Sequence, residues 1–336
     1  MQGEPWIDME AVRRRIVRDW RSRTGGAAVR DSLRPTLLAV SGGADSCALA
    51  LALAGRTGIV GLGHIVHDLR PAEQSHADRM LVERLGQRLG LPVWVDHVRV
   101  PPGNAEGQAR RVRYSALERM ACAQGCAYVA AAHQADDVFE TMLAHLIRGT
   151  GPRGLRGPAP RRRLSDSVTL VRPMLHVTRR ETEAICRAHD WVWASDATNA
   201  DTGNADAPLR AALRARVLPV LEELRPGAAR RAVRSAEAIG QAQRVVQAAI
   251  DHAWPRVARG QSPVMLDARE FSACEPAVRE GILRKLIEQL GGAGHDRLSA
   301  ATAKSLVAWV AGGRGKRLAA GLCFEHHGPV VLVSLA

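Results

Sequence analysis

Lysine is almost missing from this chain of 336 residues. Lys285, Lys304 and Lys316 are the only three, so arginine supplies 44 of the 47 basic side chains. Arginine forks suit phosphate, but a GC-rich genome produces the same bias, and the excess alone selects no ligand. No apolar run approaches the roughly 20 residues that a membrane span needs. An apolar signal core is also lacking: Trp6, Ile7 and Met9 are interspersed with charges, and Arg13–Arg15 follow. The expectation is a cytoplasmic protein with no membrane partner. The six cysteines form no C-x-x-C pair, and they read as small buried residues in a reducing compartment rather than as metal or disulfide ligands.

What is abundant is positive charge. Basic residues outnumber acidic ones 47 to 34, a net charge of +13. That balance argues for a polyanionic partner and against an acidic or secreted scaffold. Hydrophobic residues at 46% and charged residues at 24% fit a globular protein. The length suggests about two domains.

Leu37-Leu38-Ala39-Val40 is a short apolar run that stops at Ser41-Gly42-Gly43, and residues 47–53 then have helix-forming composition. Further strands are expected at 58–66, 93–100, 128–132 and 170–171, alternating with helices at 76–89, 106–123, 137–147 and 178–189. Such alternation calls for an α/β fold, a mostly parallel sheet with helices on both faces. Residues 149–163, rich in glycine, proline and arginine, read as a loop. The pattern changes after about residue 205. A connecting helix is expected over 209–224, then helices at 228–256, 276–290 and 297–310, and a small terminal hairpin over 318–335. The division expected is a catalytic domain over 1–206, a connecting helix within 207–225 and a smaller, mainly helical basic domain over 226–336. That last part carries 15 basic and 9 acidic residues and is about twice as dense in positive charge as the rest.

Ser41-Gly42-Gly43-Ala44-Asp45-Ser46 sits between strand and helix. Glycines let backbone approach a phosphate, and the amides at the next helix N-terminus point at the anion. Ser41 and Ser46 add hydroxyl donors. Asp45 would repel phosphate alone, so it makes sense as a Mg²⁺ ligand. The loop has neither the Walker nor the dinucleotide glycine spacing. SGGADS resembles the PP-loop of the ATP pyrophosphatase superfamily, whose fold is Rossmann-like, of the adenine nucleotide α-hydrolase type.

Other segments narrow the resemblance. His64 to Pro71 ends the second strand, and Asn104-Ala105-Glu106 leads to Arg110 and Arg113-Tyr114. His133-Gln134-Ala135-Asp136-Asp137 follows the fourth strand, with Glu140-Thr141 beyond. Arg172-Pro173, Arg179-Arg180, Asp196-Ala197-Thr198-Asn199, Arg210 and Leu213-Arg214 complete the series. Together, from about Leu37 to Leu224, they resemble the tRNA(Ile)-lysidine synthases. The resemblance implies ATP-dependent adenylation of the C2 oxygen of cytidine 34 in a CAU anticodon, then displacement of AMP by the amine of free L-lysine. It implies ATP and Mg²⁺ as cofactors and tRNA(Ile) as partner; a homodimer is an admissible assembly. By the same matching, residues 41–46 bind ATP and Asp45 and Asp137 share the Mg²⁺, with Asp136 the alternative to Asp137 as the second ligand. Arg113 neutralises phosphate or developing charge, and His133 handles phosphate or a proton. Arg210 or Arg214 reaches the anticodon or the leaving group.

Two departures bear on substrate recognition: Asp68 stands where the family usually has glycine, and Ala211 replaces the asparagine of an Arg-Asn pair. The alternative enzyme class is a PP-loop tRNA thiolase, disfavoured by the missing C-x-x-C. A small-molecule synthetase is disfavoured by the basic helical domain, and a non-enzymatic RNA-binding module by the intact loop.

Overall fold

The computed structural model describes residues 7–68, 71–101, 105–194, 207–291 and 298–336. Leu69, Arg70, Asn104 and the Asp196-to-Asn199 motif lie outside the described residues, as does the side chain of Glu106. The chain divides into two compact units, Met1–Arg148 with Arg156–Ala236, and Gly149–Leu155 with Glu237–Ala336.

The first unit contains α1 (Met9–Arg23), β1 (Thr36–Ala39), α2 (Ala44–Leu53), β2 (Ile59–His67), α3 (Ala72–Leu89), β3 (Val93–Val98), α4 (Ala105–Ala123), β4 (Tyr128–Ala130) and α5 (Ala135–Ile147). After the turn α6 (Pro152–Leu155), which belongs to the second unit, come β5 (Arg161–Arg163), β6 (Thr169–Val171), α7 (Arg179–Ala188), α8 (Ala207–Ala212), α9 (Leu218–Leu224) and the start of α10 (Ala228–Val257). The sheet order is β3-β2-β1-β4-β6-β5, parallel except for β5, which runs antiparallel to β6. The α/β class read from the alternation is therefore the one observed. Leu37 and Leu38 of the central strand are fully buried, as a strand covered on both faces requires. In α2 every residue except Asp45 is buried, between the sheet, α1 and α7. A helix apolar all round belongs in the core, so its one partly exposed side chain stands out. The chain winds from β1 outward to β3, then returns to place β4 on the other side of β1. The loops after β1 and β4 diverge there, and such a switch point opens a crevice at the carboxyl ends of the strands.

Close packing of β2 against β3 depends on Gly61. A Cβ there would lie 2.3 Å from Trp94 Cζ3 and 2.7 Å from the Pro92 carbonyl oxygen. Because one of these atoms is backbone, the strand pair itself must shift. Gly61→Ala is expected to destabilise the first unit by about 2 kcal/mol, read as a lower urea midpoint; an unchanged midpoint would show that the sheet accommodates the methyl.

The residue 149–163 segment is not the plain loop expected. It contains α6 and β5, because β6 presents an open edge and Arg161–Arg163 pairs with Val171, Leu170 and Thr169. Three arginines have weak strand propensity, so only tertiary pairing selects this conformation, and their charge blunts the sheet edge.

The second unit is built from the rest of α10, β7 (Ala258–Arg259), β8 (Val264–Asp267), α11 (Ala268–Ala273), α12 (Pro276–Leu290), α13 (Ala300–Gly312), β9 (Lys316–Ala319), β10 (Leu322–His327) and β11 (Val330–Leu335). Helices dominate. The terminal hairpin is real, with Gly328 at φ +63° in its turn, but it is part of a five-stranded antiparallel sheet, β7-β8-β11-β10-β9. The three further strands, β7, β8 and β9, are two, four and four residues long, too short for alternation to reveal. The core joins Phe271, Ile282, Leu286, Leu306, Phe324 and Val333. Among the described residues no helix is long and apolar enough to cross a membrane.

Candidate active site

The loop after β1 turns through Gly42, whose φ of +95° strains any side-chain-bearing residue. Gly43 then precedes the first turn of α2 without a side-chain cap, leaving the first amides of the helix available to an anion. Ser46 stitches the loop together. Its Oγ accepts from the Ser41 amide at 3.1 Å and donates to the Gly43 carbonyl at 2.9 Å. Its proton is thus committed within the loop, whereas Ser41 is exposed. His64, buried below the loop, places Nδ1 2.9 Å from the Val40 carbonyl. A carbonyl only accepts, so Nδ1 carries the proton and Nε2 the lone pair. Burial lowers the pKa of His64, which keeps the ring neutral.

Asp45 leaves α2 toward α7. Its Oδ2 accepts from Arg179 Nη1 at 2.8 Å, and its Oδ1 lies 2.6 Å from the Thr182 hydroxyl. Burial raises its pKa, opposed by Arg179 and Thr182. Arg179 also pairs with Glu183, and its amide donates to Asp136 Oδ2. The motif Arg179-Arg180 was visible in the sequence, but nothing in the spacing tied it to Asp45.

The loop after β4 brings His133 and Asp137 to the same end of the sheet. Asp137 Oδ2 accepts from the Gln134 amide at 2.9 Å, while Gln134 Oε1 accepts from the Asp136 amide at 2.7 Å. This reciprocal cap fixes the start of α5. Burial first, then the negative charge of Asp45, pushes the Asp137 carboxyl up to about 7. His133 Nδ1 accepts from Arg172 Nε at 3.2 Å. Burial and the cations Arg172, Arg110 and Arg113 hold the His133 pKa well below its ordinary value. The ring is therefore neutral with its proton on Nε2, a donor rather than a base. Arg172, which the sequence offered as part of the family series but with no role, is buried and is the residue that sets this tautomer.

Between α8 and α9 the chain makes a π-turn, Leu213–Val217, in which the Leu218 amide donates to the Leu213 carbonyl. Such turns recur at functional sites. Arg214 on this turn grips Glu140 of α5 with two bonds of 2.6 and 2.9 Å. Those bonds raise its pKa against burial, and Asp137 and Asp45 add to the effect. Of the two arginines expected near the site, Arg214 thus lies within the field of both carboxylates, while Arg210 stands in the last turn of α8, half-buried. Arg113 is exposed on α4 and lines a cavity of about 190 Å³ with Ser41, Gly43, His64 and Asp78. A larger one, about 710 Å³, opens at the ends of β2 and β3 beside Asp68, His76, Arg79 and His97.

The donor set suits a hard divalent cation. Asp45 and Asp137 are carboxylates that burial disfavours as anions, and the charge of Asp45 adds to this at Asp137. Among the described residues no group of three or more metal-ligating side chains exists. A cation held here would complete its shell with phosphate oxygens and water, the habit of Mg²⁺.

A PP-loop domain model matches residues 19–221. A tRNA(Ile)-lysidine synthase of Salinispora tropica is 36% identical over 315 residues, covering 86% of this chain and 90% of that one. The chain belongs to the tRNA(Ile)-lysidine synthase family. Members from Thermus thermophilus and Dehalococcoides mccartyi are 37% identical over 293 residues and 34% over 271. These alignments cover 85% and 76% of this chain but 52% and 56% of the relatives, so the chain spans about half their length. Among solved structures, the U34-tRNA thiolase NcsA of Methanococcus maripaludis, with its [4Fe-4S] cluster, shares the fold. The TM-score is 0.54 at 17% identity, over 69% of this chain and 79% of that one. The PP-loop domain match spans residues 41–46.

Proposed function

We propose that this chain joins lysine to C2 of cytidine 34 in the CAU anticodon of tRNA(Ile), through an adenylated cytidine. The observation that carries the reading is the uncapped α2 N-terminus with Asp45 as its one partly exposed residue, set at the switch point beside Asp137 and His133. The cytidine C2 oxygen attacks the α-phosphorus of ATP, and pyrophosphate leaves. An amine of lysine then attacks C2, loses a proton, and AMP departs with the former C2 oxygen.

The α2 amides and the Ser41 hydroxyl hold the departing pyrophosphate. Asp45 and Asp137 would hold Mg²⁺, which supplies charge neutralisation on the phosphates. His133 donates its Nε2 proton as a hydrogen bond to a phosphate oxygen, a role that a neutral ring performs at any pH near neutrality. Arg113 offsets charge developing at the α-phosphorus. Arg214, held by Glu140, keeps a cation next to the acidic pair, and Arg210 faces the anticodon. Lysine enters the larger cavity at the ends of β2 and β3, where Asp68 supplies a carboxylate for an ammonium group. Its Oδ1 already accepts from the Val100 amide, which orients it.

A sulfur-transfer reading is disfavoured by the two thiols nearest the loop. Cys47 and Cys186 are buried, donate to the Gly42 and Ala44 carbonyls, and have pKa values pushed up to about 12 by burial. They are not thiolates ready for a cluster or a persulfide. Incubation with ATP, Mg²⁺, labelled lysine and tRNA(Ile) bearing CAU is expected to place label in the tRNA with stoichiometric AMP. Modification that requires a sulfur donor in place of lysine would overturn the proposal.

A further inference from the structure

Beside the loop cavity, the first unit holds a cluster of arginines of which only Arg113 has a role in the proposed chemistry. Tyr114 of α4 is buried, and three guanidinium groups stand over its ring: Arg162 at 5.3 Å, Arg113 at 5.4 Å and Arg110 at 5.7 Å from the centroid. Buried Arg172 is a fourth cation in the same field: Arg110 and Arg162 lower its pKa beyond what burial does, and it helps depress that of Tyr114. Among the described residues none of Arg110, Arg113 or Arg162 forms an ion pair. A cavity of about 250 Å³ opens over Tyr114, lined by Arg110, Arg111, Arg162 and Ser115. One carboxylate, Glu118, is on its wall and is bonded to none of these arginines.

Like charges gathered around one ring, with no ion pair among the described residues to offset them, repel, and a bound anion removes that cost. Faces of an aromatic ring attract guanidinium groups and hold them in place, so the cluster is pre-arranged. Its position selects the anion. Arg113 lines the loop cavity, and Arg110, one helical turn away on α4, lines the outer one. A base that enters the loop cavity past Arg113 brings its sugar–phosphate chain along this face of α4. We infer that Arg110 and Arg162, braced on Tyr114, bind an RNA backbone phosphate next to the nucleotide being modified. The inference rests on the reading of RNA as substrate. The same chemistry would fit a phosphate of ATP or pyrophosphate, and the experiment separates the two sources.

Full-length chain would be titrated with fluorescent tRNA(Ile) across a salt series, and separately with a non-hydrolysable ATP analogue. The variants are Arg110→Gln with Arg162→Gln, Arg162→Gln alone, and Arg119→Gln. Arg162 lies on an exposed edge strand, so its replacement leaves the fold intact. Arg119→Gln removes the same charge from α4, but at a side chain that pairs with Asp96. In the double variant the log–log salt slope is expected to become shallower by about 0.7, the value for one phosphate that is no longer neutralised. Arg162→Gln alone should move the slope in the same direction, while Arg119→Gln and all ATP-analogue affinities stay within about twofold of wild type. An unchanged slope, or an ATP-analogue affinity that falls with the tRNA affinity, overturns the inference and leaves the proposed activity standing. Wild-type chain that binds no tRNA overturns both.

Discussion

Asp45→Ala is expected to cut AMP release and lysine transfer by about 10³-fold, a rise of about 4 kcal/mol in the barrier. The carboxylate is the only partly exposed side chain of α2, and it raises the pKa of Asp137 through space. In the proposed mechanism, removing it takes away one of the two carboxylates that would hold Mg²⁺. Stability should change by less than about 1 kcal/mol, because burial already disfavours the Asp45 anion and Arg179 keeps Glu183 as a partner. Asp45→Asn separates charge from shape: it keeps an acceptor for the Thr182 hydroxyl and loses the negative charge. Equal loss of activity in both variants, with urea midpoints near wild type, is the expected pattern. Retention of more than about a tenth of the activity by Asp45→Ala would remove Asp45 from the mechanism.

The largest effect on stability is expected at Glu181. This buried carboxylate accepts from the Thr178 amide at 2.8 Å, closing the capping box of α7, and it pairs with Arg15 of α1 and Arg230 of α10. Glu181→Ala removes the cap and leaves two cations without their shared anion, at a cost of about 3 kcal/mol. The pH dependence follows from the direction of its shift. Burial alone would raise the Glu181 pKa, but the Thr178 amide, Arg230 and Arg15 bring it below the ordinary value of 4.5. A carboxyl whose folded pKa is depressed stabilises the fold above its unfolded pKa, and that contribution is lost as pH falls toward the folded value. Wild-type stability should therefore drop below about pH 4.5 with a steeper slope than that of Glu181→Gln. Urea midpoints from pH 6 downward read this directly, and parallel curves would mean that Glu181 titrates alike in both states.

The parts of the fold that were legible in the sequence share one property: local pattern suffices for them. Leu37–Val40, the glycines after it and the alanine–leucine run of α2 each declare strand, turn and buried helix by composition. The SGGADS loop and the HQADD segment could be recognised for the same reason. What was not legible depends on residues far apart in the chain. Asp45 meets Arg179 and Thr182 across more than 130 positions. Arg172 determines the proton of His133 only because β4 and β6 are neighbours. Arg161–Arg163 becomes a strand through its pairing partner. The register of Arg210 and Arg214 was ambiguous by a turn, since regular helical spacing treats them as equivalent. The π-turn breaks that equivalence, and Glu140 binds Arg214 with two bonds.

The burial of α2 has a thermodynamic consequence for the loop it carries. A phosphate cradle on a mobile segment must surrender conformational freedom each time ligand binds, and affinity falls by that amount. Here the helix beneath the cradle is packed on every side, and Ser46 bonds the loop across its own turn. The ordering entropy is settled once, when the core forms. In the proposed function, nucleotide would then meet a preorganised surface, with tightness of binding governed by charge and desolvation rather than by a folding step.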